Sequence, residues 1–266
     1  MKMHKNKVLN QVLDARQLAL KLLANVTYGY TSASFSGRMP MAELADAIVS
    51  TGRATLEWCI DIINNHPEWG ANVVYGDTDS VFVELKGRSK DQAFVIGNAI
   101  AAAITKLSPA GVVLKFEKVY DGCCLVTKKR YAGWMYESSD QKDAIFEAKG
   151  LECIRRDQCP ATQKLQEGAL RILFQTRDIS QVKAYCIQQF KNIYGGHLKV
   201  PLSDFIFCKA VRMNKYAGRK PPAALIAERN RDRDGTFAYP PKGWRVSYLI
   251  LEGTSTQQVY TMVGSP

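Results

Sequence analysis

The sequence predicts an α+β protein with packed helices and a mostly antiparallel sheet. Two long stretches, residues 8–28 and 41–64, carry apolar residues at helical spacing. Between residues 72 and 85, two β-rich runs flank Gly76-Asp-Thr-Asp79, which is the pattern of a hairpin. Helices followed by a hairpin and by further strands favour an α+β domain over a βαβ arrangement.

The individual elements follow in order along the chain. We expect the first helix to end near Gly29, since glycine commonly stands just after the last helical residue. We predict helices over 8–28, 41–64, 90–107, 160–174 and 179–194, and strands over 112–116, 123–127, 131–136 and 244–251. After residue 150 the sequence predicts two helices, followed by a stretch rich in Pro, Gly and Arg. We therefore place a domain boundary near residue 150.

Composition narrows the function classes before any motif is considered. The chain has 266 residues with 36 Lys+Arg and 25 Asp+Glu, which gives a net charge of +11. The sequence pI of about 9.3 is typical of proteins that bind nucleic acid. No apolar run approaches the ~18 residues of a membrane span, so we expect a soluble protein. The seven cysteines include no C-x-x-C pair, so we expect neither a zinc site nor an iron–sulfur cluster in this chain.

The acidic pair Asp77 and Asp79 lies between apolar strands in Tyr75-Gly-Asp-Thr-Asp-Ser80. Carboxylates two residues apart in a hairpin can converge on one divalent cation, and Mg²⁺ favours oxygen ligands of this kind. The simpler alternative is a solvated turn, because aspartate favours turns in any protein. The apolar strands on both sides make the six-residue pattern more specific than a bare D-x-D.

The first helix carries a polar stripe. Lys21, Asn25 and Tyr28 follow one another at i, i+4 and i+7, so they share one helical face. A cation, an amide and an aromatic ring together suit a nucleotide. An ordinary amphipathic helix with a solvated lysine is the alternative that this stripe alone does not exclude.

Basic clusters make up the third kind of motif. Lys128-Lys129-Arg130-Tyr131 lies between two predicted strands, and basic residues followed by an aromatic ring suit a nucleic-acid backbone. Arg155 and Arg156 follow Lys149-Gly-Leu-Glu, and they could hold phosphates or pair with Asp157. A further cluster spans 229–233. Each cluster taken alone is equally compatible with a solvated charged surface.

Taken together, these motifs resemble the family B DNA polymerases. The order K-x-x-x-N-x-x-Y-G, Y-G-D-T-D-S, K-K-R-Y and K-G-x-E-x-x-R-R-D runs through residues 21–157. Val26 follows the asparagine of the first motif, where the commoner family form has serine. Together with residues 24–40, this substitution favours the zeta branch, which carries out translesion synthesis, over the delta branch.

The resemblance implies a role for each motif residue. Asp79 matches the palm carboxylate that binds both metal ions, and Asp77 matches its companion. Lys21 matches the lysine that contacts the incoming triphosphate. The remaining matches are Asn25 and Tyr28 in the nucleotide pocket, Lys129 and Tyr131 at the primer terminus with Arg130 between them as a DNA-binding residue, Arg155 and Arg156 at the entry to the duplex-gripping thumb, and Glu117 at a palm acidic position.

The resemblance also implies a domain layout and ligands. It assigns residues 1–40 to the end of the fingers, 41–150 to the palm and 151–266 to part of a mainly helical thumb. It implies two Mg²⁺ ions in a complete enzyme, primer–template DNA and dNTP as partners, accessory subunits for a complete enzyme, no membrane partner, and the nucleus as location.

One family motif is missing from these 266 residues. The pattern D-x-x-S-L-Y-P, which supplies the other metal-binding aspartate, does not occur. We therefore expect a partial polymerase that does not extend primers at a useful rate alone. Two alternatives stay open, a nucleic-acid-binding module without catalysis and a glycosyltransferase, whose D-x-D also holds a metal–nucleotide. The two helices before the acidic pair argue against the glycosyltransferase.

Overall fold

The computed structural model describes residues 7–33, 39–194, 200–212, 216, 218–234, 243–253 and 262–266. The chain divides into two compact units, an amino-terminal unit of residues 1–116 and a carboxy-terminal unit of residues 117–266. Both units combine helices with small antiparallel sheets, which confirms the predicted α+β class. A search of the described helices finds none with the length and hydropathy of a membrane span.

The amino-terminal unit packs a hairpin against helices. Its elements are α1 (Lys7–Ser32), α2 (Ala42–Asn65), β1 (Asn72–Asp77), β2 (Ser80–Glu84) and α3 (Lys90–Leu107). Ile63 of α2 and Ile104 of α3 are fully buried, and Val73 and Val81 of the hairpin pack against the same cluster. The α3 helix begins with a capping box at Ser89, which fixes where the chain leaves the hairpin.

The α1 helix continues past Gly29, where we expected it to end. The hydroxyls of Thr31 and Ser32 donate to the carbonyls of Tyr28 and Gly29, at 2.7 and 3.2 Å. These bonds satisfy carbonyl groups that a helix end leaves without partners. The Met41 amide also donates to the Thr31 carbonyl at 3.0 Å, which joins the end of α1 to the start of α2.

The strand predicted over residues 112–116 is wrong. The hydroxyl of Thr105 on α3 replaces a strand partner, since it accepts from the Leu114 amide at 3.0 Å and donates to the Leu114 carbonyl at 3.3 Å. Leu114 packs against the core of the unit, and the rings of Phe116 and Phe94 pack edge to face with their centroids 5.5 Å apart. Leu114 and Phe116 therefore pack against α3 without strand pairing, whereas Val112 and Val113 are exposed.

The carboxy-terminal unit begins with a three-stranded antiparallel sheet of order β3-β4-β5. Its elements are β3 (Val119–Thr127), β4 (Arg130–Tyr136), β5 (Ile145–Lys149), α4 (Pro160–Thr176), α5 (Ile179–Tyr194), β6 (Phe207–Ala210), α6 (Pro222–Asp234), β7 (Arg245–Ile250) and β8 (Val263–Gly264). One face of the first sheet is apolar, where Trp134 and Phe146 meet Phe174 of α4. Alternation along the strands leaves the opposite face to polar residues.

The last part of the unit forms a second small core. Ala223 and Ile226 of α6 pack against Val211, Tyr248 and Val263, so that α6 covers the β6-β7-β8 sheet. We predicted β7 but not α6, β6 or β8. The sequence of α6 ends in Glu-Arg-Asn-Arg-Asp-Arg-Asp. Because this half is highly polar, the short apolar run at the start of the helix did not stand out as a helical pattern.

Candidate functional site

The acidic pair lies at the tip of the β1–β2 hairpin, as the sequence predicted. The two strands pair from Asn72 opposite Glu84 to Asp77 opposite Ser80, with a shift in register between Val73 and Tyr75, and they leave a two-residue turn. Thr78 adopts the left-handed conformation with φ of 59°, and the Asp79 amide donates to the Asp77 carbonyl at 2.6 Å. A β-branched residue at positive φ is an uncommon strained arrangement, and such strain clusters at functional sites.

The two carboxylates differ in exposure. Asp77 is half-buried and its Oδ1 accepts from the Thr78 hydroxyl at 3.2 Å, whereas Asp79 is exposed. Two carboxylates are enough for the usual Mg²⁺ arrangement in which substrate phosphates and water complete the shell. Among the described residues, no group of three or more His, Cys, Asp or Glu side chains could enclose a metal ion.

The polar stripe of α1 belongs to the same unit as the acidic hairpin. Lys21, Asn25 and Tyr28 are all exposed on α1, and their i, i+4, i+7 spacing places them on one face of the helix. The α2 helix contacts both α1 and β1, so it is the element that connects the stripe to the hairpin. The side chains of Leu56 and Ile60 on α2 approach Gly76 in β1, immediately before Asp77.

The basic motif lies at the β3–β4 turn. Thr127 stands opposite Arg130, so Lys128 and Lys129 form a two-residue turn in which Lys129 has φ of 61°. Both turn lysines are exposed. Gly150, at the end of β5, lies directly against this turn, and a Cβ there would overlap the Lys129 carbonyl oxygen. The glycine of the K-G-x-E motif thus permits the K-K-R-Y turn to pack against it.

A side-chain network fixes the same turn from its other end. Nη2 of Arg130 is paired with Oε1 of Glu152, and the Gln166 side chain donates to the other oxygen of Glu152 at 3.0 Å. The oxygen of the Gln166 amide in turn accepts from the Cys153 backbone at 2.6 Å. These bonds hold the pKa of Glu152 below its usual value, with the Gln166 bond as the largest cause. The arginine of K-K-R-Y therefore serves to join the turn to α4.

The other predicted DNA-contacting residues lie on the carboxy-terminal unit as well. Tyr131 is half-buried on β4, opposite Lys149 of β5. Arg155 makes two bonds to Asp157, at 2.6 and 2.9 Å, which is the pairing that we weighed as an alternative to phosphate contact. Arg156 is exposed, and its carbonyl accepts from the Arg245 guanidinium at 2.5 Å.

Two arginines of the 229–233 cluster bind groups within the protein. Arg229 donates to the Val263 carbonyl at 2.7 Å and so ties α6 to β8, and Arg231 pairs with Asp232 at 2.7 Å. Glu117 is exposed at the start of the unit. The DNA-binding and palm roles of these residues stay predictions.

A comparison of the sequence with models of known protein families identifies the family to which the chain belongs. The family model described as "DNA polymerase family B" matches residues 1–266, the whole chain. The chain belongs to DNA polymerase family B. This membership excludes the glycosyltransferase alternative, and it makes the polymerase motifs a shared family pattern instead of a coincidence of spacing.

Curated relatives within the family point to one branch. The chain is 51% identical over 263 residues to the DNA polymerase zeta catalytic subunit of Arabidopsis thaliana, covering 97% of this chain and 14% of that protein. It is 49% identical to the human zeta catalytic subunit, covering 98% of this chain and 8% of that protein. A delta catalytic subunit from Schizosaccharomyces pombe is 34% identical over 261 residues, covering 96% of this chain and 24% of that protein. The predicted likeness to zeta is confirmed, and the chain spans less than a sixth of the length of these zeta relatives.

A solved structure supports the fold. The family B DNA polymerase of the hyperthermophilic archaeon Pyrobaculum calidifontis matches with a TM-score of 0.60 and 24% sequence identity. The match covers 98% of this chain and 31% of that polymerase. At this identity the comparison speaks for the fold alone, which agrees with the mixed helices and small antiparallel sheets described above.

Proposed function

We propose that the chain is the part of a zeta-type translesion DNA polymerase that carries one metal-binding carboxylate hairpin and the primer-side basic turn. The observation that carries the proposal is the acidic hairpin itself, two carboxylates on a strained two-residue turn within a family B sequence. The segments 1–40, 41–150 and 151–266 remain our assignment of fingers, palm and partial thumb. The compact units are divided by their contacts at residue 116, within the proposed palm.

The proposed reaction is nucleotidyl transfer from a dNTP to a primer 3′-hydroxyl. Two bound Mg²⁺ ions would supply activation of the hydroxyl and stabilisation of the leaving pyrophosphate. Asp79 and Asp77 offer the carboxylate oxygens for such ions, and Lys21 offers a positive charge for the triphosphate. Phosphoryl transfer depends mainly on positioning and charge stabilisation, so this set of residues needs no covalent nucleophile.

The proposed partners follow from the same assignment. Primer–template DNA would contact Lys129 and Tyr131, with Arg155 and Arg156 on the duplex side, and the dNTP would contact Lys21, Asn25 and Tyr28. We propose a nuclear location and roles in translesion synthesis and repair. Accessory subunits belong to the proposal for the longer protein, as do its activity and substrates.

A second candidate is a nucleic-acid-binding segment without catalysis of its own. It is favoured by one observation, that D-x-x-S-L-Y-P does not occur in the 266 residues. Two-metal catalysis needs both ions fixed about 3.5–4 Å apart, and one aspartate motif does not set that geometry. Both candidates predict DNA binding, so primer extension is what separates them.

Primer extension by the purified chain is the deciding assay for catalysis. Wild type and Asp79→Ala are compared with Mg²⁺ and with Mn²⁺ on one primer–template. We expect no extension above the Asp79→Ala background, because the chain carries one of the two metal-binding aspartate motifs. Extension that disappears in Asp79→Ala would show that the chain is catalytically self-sufficient and would contradict the expectation.

The salt dependence of DNA binding tests the part that both candidates share. With a net charge of +11, the chain should bind duplex DNA without sequence preference. Each phosphate contact contributes a slope of about −0.9 to log K against log salt, so roughly four contacts give a slope near −3.6. An affinity that does not change with salt, or a preference for one DNA sequence, would contradict the proposed contacts with the DNA backbone.

A further inference from the structure

The polar face of the β3-β4-β5 sheet contains a carboxylate with three partners. Glu147 lies in the middle of β5, and its Oε2 accepts from Lys118 Nζ at 2.7 Å and from the Tyr120 hydroxyl at 2.5 Å. Its Oε1 is 3.2 Å from Lys149 Nζ. The Glu147 side chain is only 15% exposed, whereas Lys149 is 55% exposed. A carboxylate this enclosed is a fixed part of the sheet and unlike the usual surface ion pair.

The backbone is shaped so that Tyr120 can reach Glu147. The register between β3 and β4 shifts between Tyr120 and Cys123, which is the mark of a bulge that re-aims side chains. Gly133 of β4 lies under the Tyr120 ring, and a Cβ at Gly133 would stand 2.8 Å from Tyr120 Cδ1. Any larger residue at 133 would therefore push the ring away from the carboxylate.

The network borders Tyr131 on two sides. The rings of Tyr120 and Tyr131 meet edge to face, with centroids 6.3 Å apart and an interplanar angle of 81°. Lys149 is the register partner of Tyr131 on β5. Glu147 holds both neighbours of Tyr131 at once, because it binds the Tyr120 hydroxyl with one oxygen and the Lys149 ammonium with the other.

The protonation states agree with this geometry. Burial opposes ionisation of Glu147, but the bonds from Lys118, Tyr120 and Lys149 outweigh it and lower the pKa of the carboxyl. Burial, followed by the bond to Glu147, raises the pKa of Tyr120 far above its usual range. Tyr120 therefore stays a hydrogen-bond donor and Glu147 an acceptor at neutral pH.

We propose that Glu147 is a positioning residue for the primer-terminus contact, which it serves by holding Tyr120 and Lys149 on either side of Tyr131. This inference rests on the proposed function, in which Tyr131 contacts the primer end. It adds a residue that the motif comparison did not select, since Glu147 lies two residues before the K-G-x-E motif.

A simple charge argument predicts the opposite result for a Glu147 variant. Removing a negative charge beside two lysines makes the polar face more basic, which should strengthen attraction to DNA. The positioning argument predicts weaker binding of a primer end, since Tyr120 and Lys149 lose their common anchor. The sign of the change therefore separates the two accounts.

The experiment measures binding of two DNA ligands by fluorescence anisotropy at one fixed salt concentration. One ligand is a primer–template with a recessed 3′ end, and the other is a blunt duplex of the same length. Glu147→Gln and Tyr120→Phe are compared with wild type, and Tyr120→Phe leaves the net charge unchanged. Glu137→Gln is the charge-matched control, since Glu137 is exposed just after β4 in the same unit.

We expect Glu147→Gln to weaken binding of the recessed end by about 5- to 10-fold and Tyr120→Phe by about 3-fold, less than the full loss of a bond to a charged group because the effect on DNA is indirect. Affinity for the blunt duplex should change by less than about 2-fold, and so should both affinities of Glu137→Gln. A role confined to folding would weaken both ligands alike and would overturn the proposal. If Glu147→Gln does not fold, as judged by circular dichroism, Tyr120→Phe decides alone.

Failure of the inference and failure of the proposed function give different results. A wild-type chain that favours the recessed end, with both variants retaining that preference, overturns the role of Glu147 and leaves the proposed function standing. A wild-type chain that binds DNA with no preference for the recessed end overturns the primer contact of Tyr131, and the role of Glu147 with it.

Discussion

The acidic β1–β2 hairpin and the basic β3–β4 hairpin have the same turn but different support. Both turn through two residues, and in each a residue other than glycine adopts positive φ, Thr78 at 59° and Lys129 at 61°. The acidic turn is held by bonds among residues 77–80, such as the Ser80 hydroxyl on the Asp77 carbonyl at 3.2 Å. The basic turn is held by Gly150 and by the Arg130–Glu152–Gln166 network.

The difference between the two turns lies in where their supporting contacts come from. The basic turn is positioned by residues up to 36 places along the chain, so its geometry is a property of the carboxy-terminal unit. The hydrogen bonds described above for the acidic turn join residues 77–80, and Asp79 is exposed. Under the proposed function, a cation and substrate phosphates would complete the acidic turn. Substitutions that remove distant support should therefore affect the basic turn most.

Gly150→Ala should have the largest effect. A methyl group at this position would overlap the Lys129 carbonyl oxygen, and Gly150 has φ of 64°, so both sterics and backbone conformation oppose the change. We expect the free energy of unfolding of the carboxy-terminal unit to fall by about 2–4 kcal/mol. Urea denaturation followed by circular dichroism measures this loss.

A second glycine separates the two causes. Gly243 also has positive φ, at 87°, but no described atom lies within 4 Å of a Cβ built there. Against the described part of the chain, Gly243→Ala should show mainly the conformational cost, about 1 kcal/mol. Equal losses in the two variants would show that Gly150 does not support the basic turn by close packing.

Acidification should have the second-largest effect, because it removes interactions that support the basic turn. The lowered pKa of Glu152 means that its contribution to stability is complete above the unfolded value, about 4.3, and is lost as pH falls through the folded value. Burial opposes ionisation of Glu147, but the hydrogen bonds that Glu147 accepts outweigh burial and lower the pKa of its carboxyl. The stability that Glu147 contributes is therefore also lost as the pH falls. We expect the unfolding free energy of this unit to decline below about pH 5.

Glu152→Gln tests the source of that decline. The variant should cost about 1 kcal/mol at pH 7, since it removes the pairing with Arg130, and it should flatten the acid-induced loss. Glu137→Gln removes an equal charge from an exposed position and should preserve the wild-type pH profile. An unchanged profile in Glu152→Gln would show that this carboxylate is not a main support.

Thr78→Gly should have the smallest effect, and in the opposite direction. Glycine relieves the ~1–2 kcal/mol cost of the left-handed conformation, but it adds entropy to the unfolded chain. We expect a net stabilisation of the amino-terminal unit by about 0.5 kcal/mol, measured by urea denaturation. A loss of stability would indicate that the Thr78 hydroxyl bond to Asp77 outweighs the strain.

Local patterns predicted more of the fold than of its connections. The hairpin at 72–85 and the helices Lys90–Leu107 and Ile179–Tyr194 are confirmed, because apolar spacing and turn residues determine them locally. The β5 strand was missed, since Ile145–Lys149 is short and carries charged residues on one face. Residues 112–116 looked like a strand because they are rich in apolar residues, but only Leu114 and Phe116 pack inward, and Leu114 bonds to the Thr105 side chain instead of a strand.

The candidate site shows the same limit. The motif residues Asp77, Asp79 and Tyr131 could be selected from sequence, because their spacing is short and specific. The supports could not, since Arg130–Glu152 and Lys118–Glu147 join residues 22 and 29 positions apart. The glycine and glutamate of K-G-x-E were visible as a motif, but their contact with the basic turn appears only in three dimensions.

Titration with Mn²⁺ tests the central claim most directly, namely that the acidic hairpin is a divalent-cation site. Nuclear magnetic resonance of the ¹⁵N-labelled chain should show amide signals of residues 76–80 broadening first. Asp79→Ala should remove most of this broadening, whereas Asp61→Ala, at an exposed position on α2 of the same unit, should leave it unchanged. Broadening that centres elsewhere in a folded sample, or that persists in Asp79→Ala, would contradict the account.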